Sequence, residues 1–115
     1  METLASEPSV ACVDAVSRLV GFPTVSSQSN LALIDWVRGL LQDLGTESHL
    51  TFSDDRRKAN LFATLHPGDG QTPSHRAGIV LSGHTDVVEV DPAQWASDPF
   101  TATRRGGRLY GRGTA

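Results

Sequence analysis

Two residues have the types and the spacing to do chemistry: His84 and Asp86, in Gly78-Ile79-Val80-Leu81-Ser82-Gly83-His84-Thr85-Asp86-Val87-Val88. In extended backbone the side chains at i and i+2 point to the same side, which brings an imidazole beside a carboxylate. A histidine that ligates a metal through one ring nitrogen needs an acceptor for the N–H on the other, and a nearby carboxylate serves. The plainer alternative is a surface histidine in a turn, with Asp86 present for turn chemistry. The remaining histidines are His49, His66 and His75, and no C-x-x-C, H-E-x-x-H or histidine pair at helical spacing accompanies them. A bound metal would therefore draw most of its ligands from outside any local motif.

The elements that must position this pair read as follows. Ser6, Pro8 and Ser9 supply start signals for a helix over 8–20, with Cys12, Val13, Val16, Leu19 and Val20 as its buried stripe and Gly21-Phe22-Pro23 as its stop. Ser27 or Ser29 caps a second helix that runs to about Leu44. Leu33, Ile34, Val37, Leu40, Leu41 and Leu44 recur on it at three and four, Trp36 lies at the edge of the stripe, and Gly45 stands where a left-handed terminator belongs. Strands are predicted over 46–52 and 60–66, the latter with Leu61, Ala63 and Leu65 on one face. The turn between them, Ser53 to Lys58, sets a basic triplet against two aspartates and reads as a solvated loop. Pro67 to Ser74 is loop by composition, and His66 and His75 beside it read as exposed.

The nearly all-apolar run Gly78 to Leu81 predicts a third strand, interior to a sheet, with the His84–Asp86 pair just past its end, where open α/β sheets place their chemistry. Trp95 and Phe100 are large apolar rings in an irregular stretch and are expected to pin it to the body of the domain; Trp95 is also a candidate pocket wall. Thr101–Thr103 and Arg108–Tyr110, joined through Arg104 to Gly107, predict a hairpin. The order helix, helix, strand, strand, strand points to an α/β layered domain with a mixed sheet.

Composition bounds the class. The 115 residues suffice for one domain, and 38% apolar with 20% charged residues is a globular composition. No apolar run approaches the roughly 20 residues that span a bilayer, and Met1 to Pro8 lacks a signal pattern. The single cysteine, Cys12, excludes an internal disulfide, fits a reducing compartment and is expected to be buried. A soluble cytoplasmic protein is the expectation. A net charge of −3 argues against a general nucleic-acid partner.

Three blocks in order carry a family resemblance: Leu81 to Val88, Trp95-Ala96-Ser97-Asp98-Pro99-Phe100, and Gly107-Arg108-Leu109-Tyr110-Gly111-Arg112-Gly113-Thr114-Ala115. Together they resemble the N-terminal metal-site signature of the M20 family of zinc aminoacylases and peptidases, and Gly21 to Ser26 and Lys58 to Thr64 extend the likeness along nearly the whole chain. The resemblance implies that 1–115 is the N-terminal portion of a layered αβα zinc-hydrolase-type catalytic domain, with a lid domain inserted further along. It implies two divalent ions, zinc or cobalt, with His84 as a metal ligand and Asp86 as the catalytic-site carboxylate that holds its imidazole. The implied reaction is hydrolysis of an N-acyl amide, most closely N2-acetyl-L-ornithine to L-ornithine and acetate in arginine biosynthesis. The implied partners are a small N-acyl amino acid substrate and a second copy in a homodimer, with neither nucleic acid nor membrane.

Two departures from the family pattern matter. The family's bridging aspartate would follow Gly-Arg-Gly-Thr-Ala, where this sequence stops at Ala115, and its glutamate and remaining ligands lie further on. The segment as given is therefore expected to be inactive and not to fold cooperatively alone. Glu89 stands where the family often has proline, which leaves the loop after Asp86 less stiff. Three rival readings remain: a succinyl-diaminopimelate desuccinylase or M20 dipeptidase; a non-catalytic binding or structural fragment; and an RNA-contacting arginine–glycine segment over 104–113, which an acidic chain disfavours.

Overall fold

The computed structural model describes residues 7–66 and 77–114, so the expectations for Ser6, His75 and the 67–74 loop lie outside the described residues. The chain divides into two compact units, one of residues up to Ser26 together with those from Val87 on, the other Ser27–Asp86.

In the first unit, helix α1 spans Val10–Val20. Ser9 caps it: its hydroxyl accepts from the Cys12 amide at 3.2 Å, which satisfies one of the N–H groups that a helix start leaves open. The stripe of α1 is only partly covered. Val20 is buried, whereas Val16, Leu19 and Cys12 are exposed. Helical periodicity decides which residues share a face, but burial also needs an element across that face, and no described helix or strand makes an extended contact with α1. The buried cysteine expected at position 12 is thus corrected to an exposed free thiol.

After Phe22 the chain makes one parallel bridge, Val25 to Val87, in which the Val87 amide donates to the Thr24 carbonyl and the Ser26 amide to the Val87 carbonyl. Strands β3 (Thr103–Arg105) and β4 (Arg108–Tyr110) form the predicted hairpin. Its loop is tighter than expected: Arg104 and Arg105 belong to the strand, and Gly106 and Gly107 alone turn the chain, at φ 58 and 74. Positive φ at both central residues is what a two-residue hairpin with matching twist requires.

In the second unit, helix α2 spans Leu31–Asp43. Leu33 and Ile34 are buried, while Leu40 and Leu44, further along the same stripe, are exposed. Its C-terminus closes as a Schellman motif: Gly45, at φ 72, donates to the Gln42 carbonyl and Thr46 to the Leu41 carbonyl. Strands β1 (Ser48–Phe52) and β2 (Ala59–Ala63) pair antiparallel with Leu50 opposite Leu61 and Phe52 opposite Ala59, and α2 packs on both. The turn between them is the solvated loop expected, tied by local bonds. Asp55 accepts from the Ser53 hydroxyl at 2.7 Å and the Arg57 amide at 3.1 Å, and the Arg56 guanidinium lies 4.3 Å from the centre of the Phe52 ring. Leu65 lies past the end of β2 and is exposed.

The third strand is not formed. Residues 77–86 join no ladder, and Ile79, Val80 and Leu81 are 92%, 84% and 93% exposed. An apolar run becomes an interior strand only beside hydrogen-bonding neighbours, and the described strands pair only as β1 with β2 and β3 with β4. The described chain is thus a small α/β assembly of two helices and two short antiparallel sheets.

Candidate metal centre

His84 and Asp86 meet. The His84 Nδ1 lies 3.0 Å from Asp86 Oδ1 and 2.8 Å from the Asp86 carbonyl oxygen. A carbonyl oxygen can only accept, so Nδ1 carries the proton and donates to Asp86, and in a neutral ring this tautomer leaves the lone pair on Nε2. The side chain of His84 is 84% exposed and that of Asp86 is half-exposed, which leaves the imidazole largely open to solvent. Residues 84–88 alternate: His84, Asp86 and Val88 are exposed and Thr85 and Val87 half-buried. This is the pleat of an extended segment, although no ladder holds it.

Val87 has its bridge to Val25; at Thr85 the segment is held by Asn30, a residue that sequence patterning did not single out. Asn30 is the N-cap of α2, yet its side chain makes no capping bond; the Ser29 hydroxyl takes the Leu31 amide instead, at 3.2 Å. The Asn30 amide turns to β2 and to the loop. Its Oδ1 accepts from the Ala59 amide at 2.9 Å, and its Nδ2 donates to the Ala59 carbonyl and to the Thr85 hydroxyl, both at 2.9 Å. The two backbone partners fix the orientation of the amide, since exchanging its O and N would set donor against donor. Asn30 is buried and Ala59 is buried against it.

In the first unit, the segment from Glu89 to Thr114 is tied by Arg112. Its amide donates to the Pro99 carbonyl at 2.7 Å, its guanidinium donates to the Glu89 carbonyl at 3.2 Å, and the same group lies 5.2 Å from the centre of the Trp95 ring. Trp95 and Phe100 are half-buried. Gly111 packs on Val20, and the arginine–glycine run forms the β3–β4 hairpin, where the Arg105 guanidinium lies 4.6 Å from the centre of the Tyr110 ring.

A family model described as Peptidase family M20/M25/M40 matches residues 80–115, the stretch that contains His84, Asp86 and the Gly111-Arg112-Gly113 turn. An acetylornithine deacetylase of Proteus mirabilis (strain HI4320) is 38% identical over 110 residues, covering 90% of this chain and 27% of that protein. One of Yersinia pseudotuberculosis serotype O:1b (strain IP 31758) is 36% identical over 110 residues, covering 90% and 28%. One of Pasteurella multocida (strain Pm70) is 39% identical over 106 residues, covering 86% and 26%. The chain thus spans about a quarter of the length of these curated relatives.

His84 and Asp86 fit a metal as one ligand with its supporting carboxylate. They do not make a complete set. A hydrolytic zinc takes about three protein ligands and an open position, and among the described residues no group of three or more His, Cys, Asp or Glu converges. No described helix is long and apolar enough to cross a membrane.

Proposed function

We propose that this chain belongs to the M20 family and is the part of a metal-dependent amidohydrolase that supplies His84 as a ligand and Asp86 as its orienting carboxylate. The enzyme cleaves the N-acyl bond of N2-acetyl-L-ornithine to give L-ornithine and acetate. The observation that carries the reading is the His84 Nδ1 to Asp86 contact, at 3.0 Å, inside the stretch that matches the family. Asp86 fixes the tautomer that leaves Nε2 free and raises its basicity, and the open edge of the ring is where an ion would sit. Two divalent ions, zinc or cobalt, would supply Lewis-acid activation of a water and of the acyl carbonyl when bound. Their other ligands, and the general base, come from residues outside this pair. The layered αβα catalytic domain, the cytoplasmic location, the homodimer and the inactivity of residues 1–115 alone belong to the same reading. The names of the relatives favour acetylornithine over succinyl-diaminopimelate as substrate.

The test uses protein expressed from the full reading frame, loaded with Zn²⁺ or Co²⁺ and assayed side by side on acetylornithine and succinyl-diaminopimelate. The expected result is metal-dependent release of acetate that His84→Ala lowers by two or more orders of magnitude, as loss of a metal ligand should. Activity unchanged in His84→Ala would refute the assignment, and preference for the succinyl compound would move the protein to the rival M20 activity.

A further inference from the structure

We propose that Asn30 is a positioning residue for the His84–Asp86 pair, acting through Thr85. The proposal rests on the metal reading above. The pair lies on a segment that no strand ladder restrains, with both side chains exposed and the single bridge at Val87 falling just past it, so side-chain contacts have to contribute to its geometry. Thr85 sits between the two functional residues and, on an alternating backbone, faces the other way, inward. Its hydroxyl accepts from Asn30 Nδ2 at 2.9 Å, and Asn30 is clamped by its two bonds to the Ala59 backbone. Fixing the Thr85 side chain fixes the pleat on which His84 and Asp86 point outward together.

The helix gives up a local bond for this arrangement. An asparagine at an N-cap ordinarily satisfies its own helix, a contribution of about 1 kcal/mol, and here Asn30 spans 29 and 55 residues of sequence instead. An amide serving only to cap α2 would not take this orientation.

The experiment uses protein from the full reading frame with four variants: Thr85→Val, Thr85→Ser, Asn30→Asp and His84→Ala. Thr85→Val keeps the shape of the side chain and the Asn30–Ala59 clamp, and removes the hydroxyl. Thr85→Ser restores the hydroxyl. Asn30→Asp keeps an acceptor for the Ala59 amide and loses the donor to both the Ala59 carbonyl and Thr85, so it tests the clamp together with the tie. The readouts are Zn²⁺ affinity by chelator competition, the melting temperature of the metal-free protein, and kcat and KM separately. The expected result is Zn²⁺ affinity lowered about tenfold in Thr85→Val and Asn30→Asp, at the low end of the range for residues supporting a ligand. It should be restored in Thr85→Ser, with kcat falling, KM unchanged and the metal-free melt of Thr85→Val unchanged.

Zn²⁺ affinity and kcat in Thr85→Val equal to wild type, while His84→Ala loses the metal, would overturn the positioning role alone. A loss in Thr85→Val that tracks a lowered melting temperature and is not recovered by Thr85→Ser would also overturn it. Wild type and His84→Ala binding Zn²⁺ alike would refute the metal reading and this proposal with it.

Discussion

Replacing Gly111 by alanine tests whether the glycine of the Gly111-Arg112-Gly113 turn is there for space. A Cβ at this position would lie 2.6 Å from Val20 Cγ1, 3.4 Å from Val20 Cγ2 and 3.5 Å from the Pro99 carbonyl oxygen. Carbon atoms rest at roughly 3.5–4.0 Å, so the methyl or the valine must move by about 1 Å. Val20 cannot swing clear at little cost, because a β-branched residue in a helix has essentially one χ1 well and this one is buried at the end of α1. Overpacking of this kind costs about 1–3 kcal/mol. Against it stands a gain of about 0.4–1 kcal/mol from the lower entropy of the unfolded alanine chain, since Gly111 has no positive φ to forbid the change. With a contact this short the upper part of the range applies, and the net expectation is about 1.5 kcal/mol.

The Arg112 amide, which donates to Pro99 at 2.7 Å, reports the local opening. Its hydrogen exchange in protein from the full reading frame should speed up about tenfold in Gly111→Ala, since 1.4 kcal/mol is a factor of ten. Val20→Ala alone removes two methyls, worth about 0.8 kcal/mol each before any cavity cost. In the double variant the new alanine occupies the space they leave, so the two effects should fall short of additive by about 1 kcal/mol or more. Gly39→Ala is the control. Gly39 lies within α2, where an added methyl would meet nothing within 4 Å, and there alanine should stabilise by up to about 1 kcal/mol. Wild-type exchange at Arg112 in Gly111→Ala, or strict additivity with Val20→Ala, would refute the steric argument.

Two further outcomes follow from the loops. The Ser53 hydroxyl first, then the Arg57 amide and its charge, hold the Asp55 carboxyl below its ordinary value of 3.8. The folded value being the lower one, the contribution of this carboxylate to the turn is present above the ordinary range and is lost as pH falls through the lowered value. A carboxyl ¹³C titration should find a midpoint below 3.8 that rises in Ser53→Ala, and a midpoint at or above the ordinary value in the parent protein would contradict this. In the β3–β4 loop, Gly107→Ala forces a side chain into the left-handed region at φ 74 and should weaken the hairpin by about 1–2 kcal/mol. Gly106→Asn, which that region tolerates, should change little. Equal amide protection of Thr103 and Tyr110 in the two variants would count against a turn set by backbone handedness.

Much of the local structure was legible because its causes are local. Helix α2 itself, the left-handed Gly45, the two-glycine hairpin and the solvated Ser53–Lys58 turn each follow from residues within one turn of helix or one loop. The misreadings share a different cause. Cys12, Val16 and Leu19 have the spacing of a buried face, and Ile79 to Leu81 the composition of an interior strand, yet all are exposed. Spacing and composition state what a segment can bury, while burial itself depends on what lies opposite.

The candidate site divides along the same line. The His84–Asp86 contact is an i, i+2 relation, so residue types and the pleat sufficed to anticipate it. Its support is not local: Asn30 reaches Ala59 and Thr85 across 29 and 55 residues. In sequence Asn30 is an asparagine ahead of an amphipathic helix, which capping alone would explain. Only the direction of its amide, away from its own helix, separates the two roles. A ligand pair on a segment outside any strand ladder gains from such a long-range tie, because a ring and carboxylate without it would sample more rotamers before an ion could be bound. Precision at His84 is therefore to be sought at Thr85 and Asn30, one and two steps behind the residues that would touch the metal.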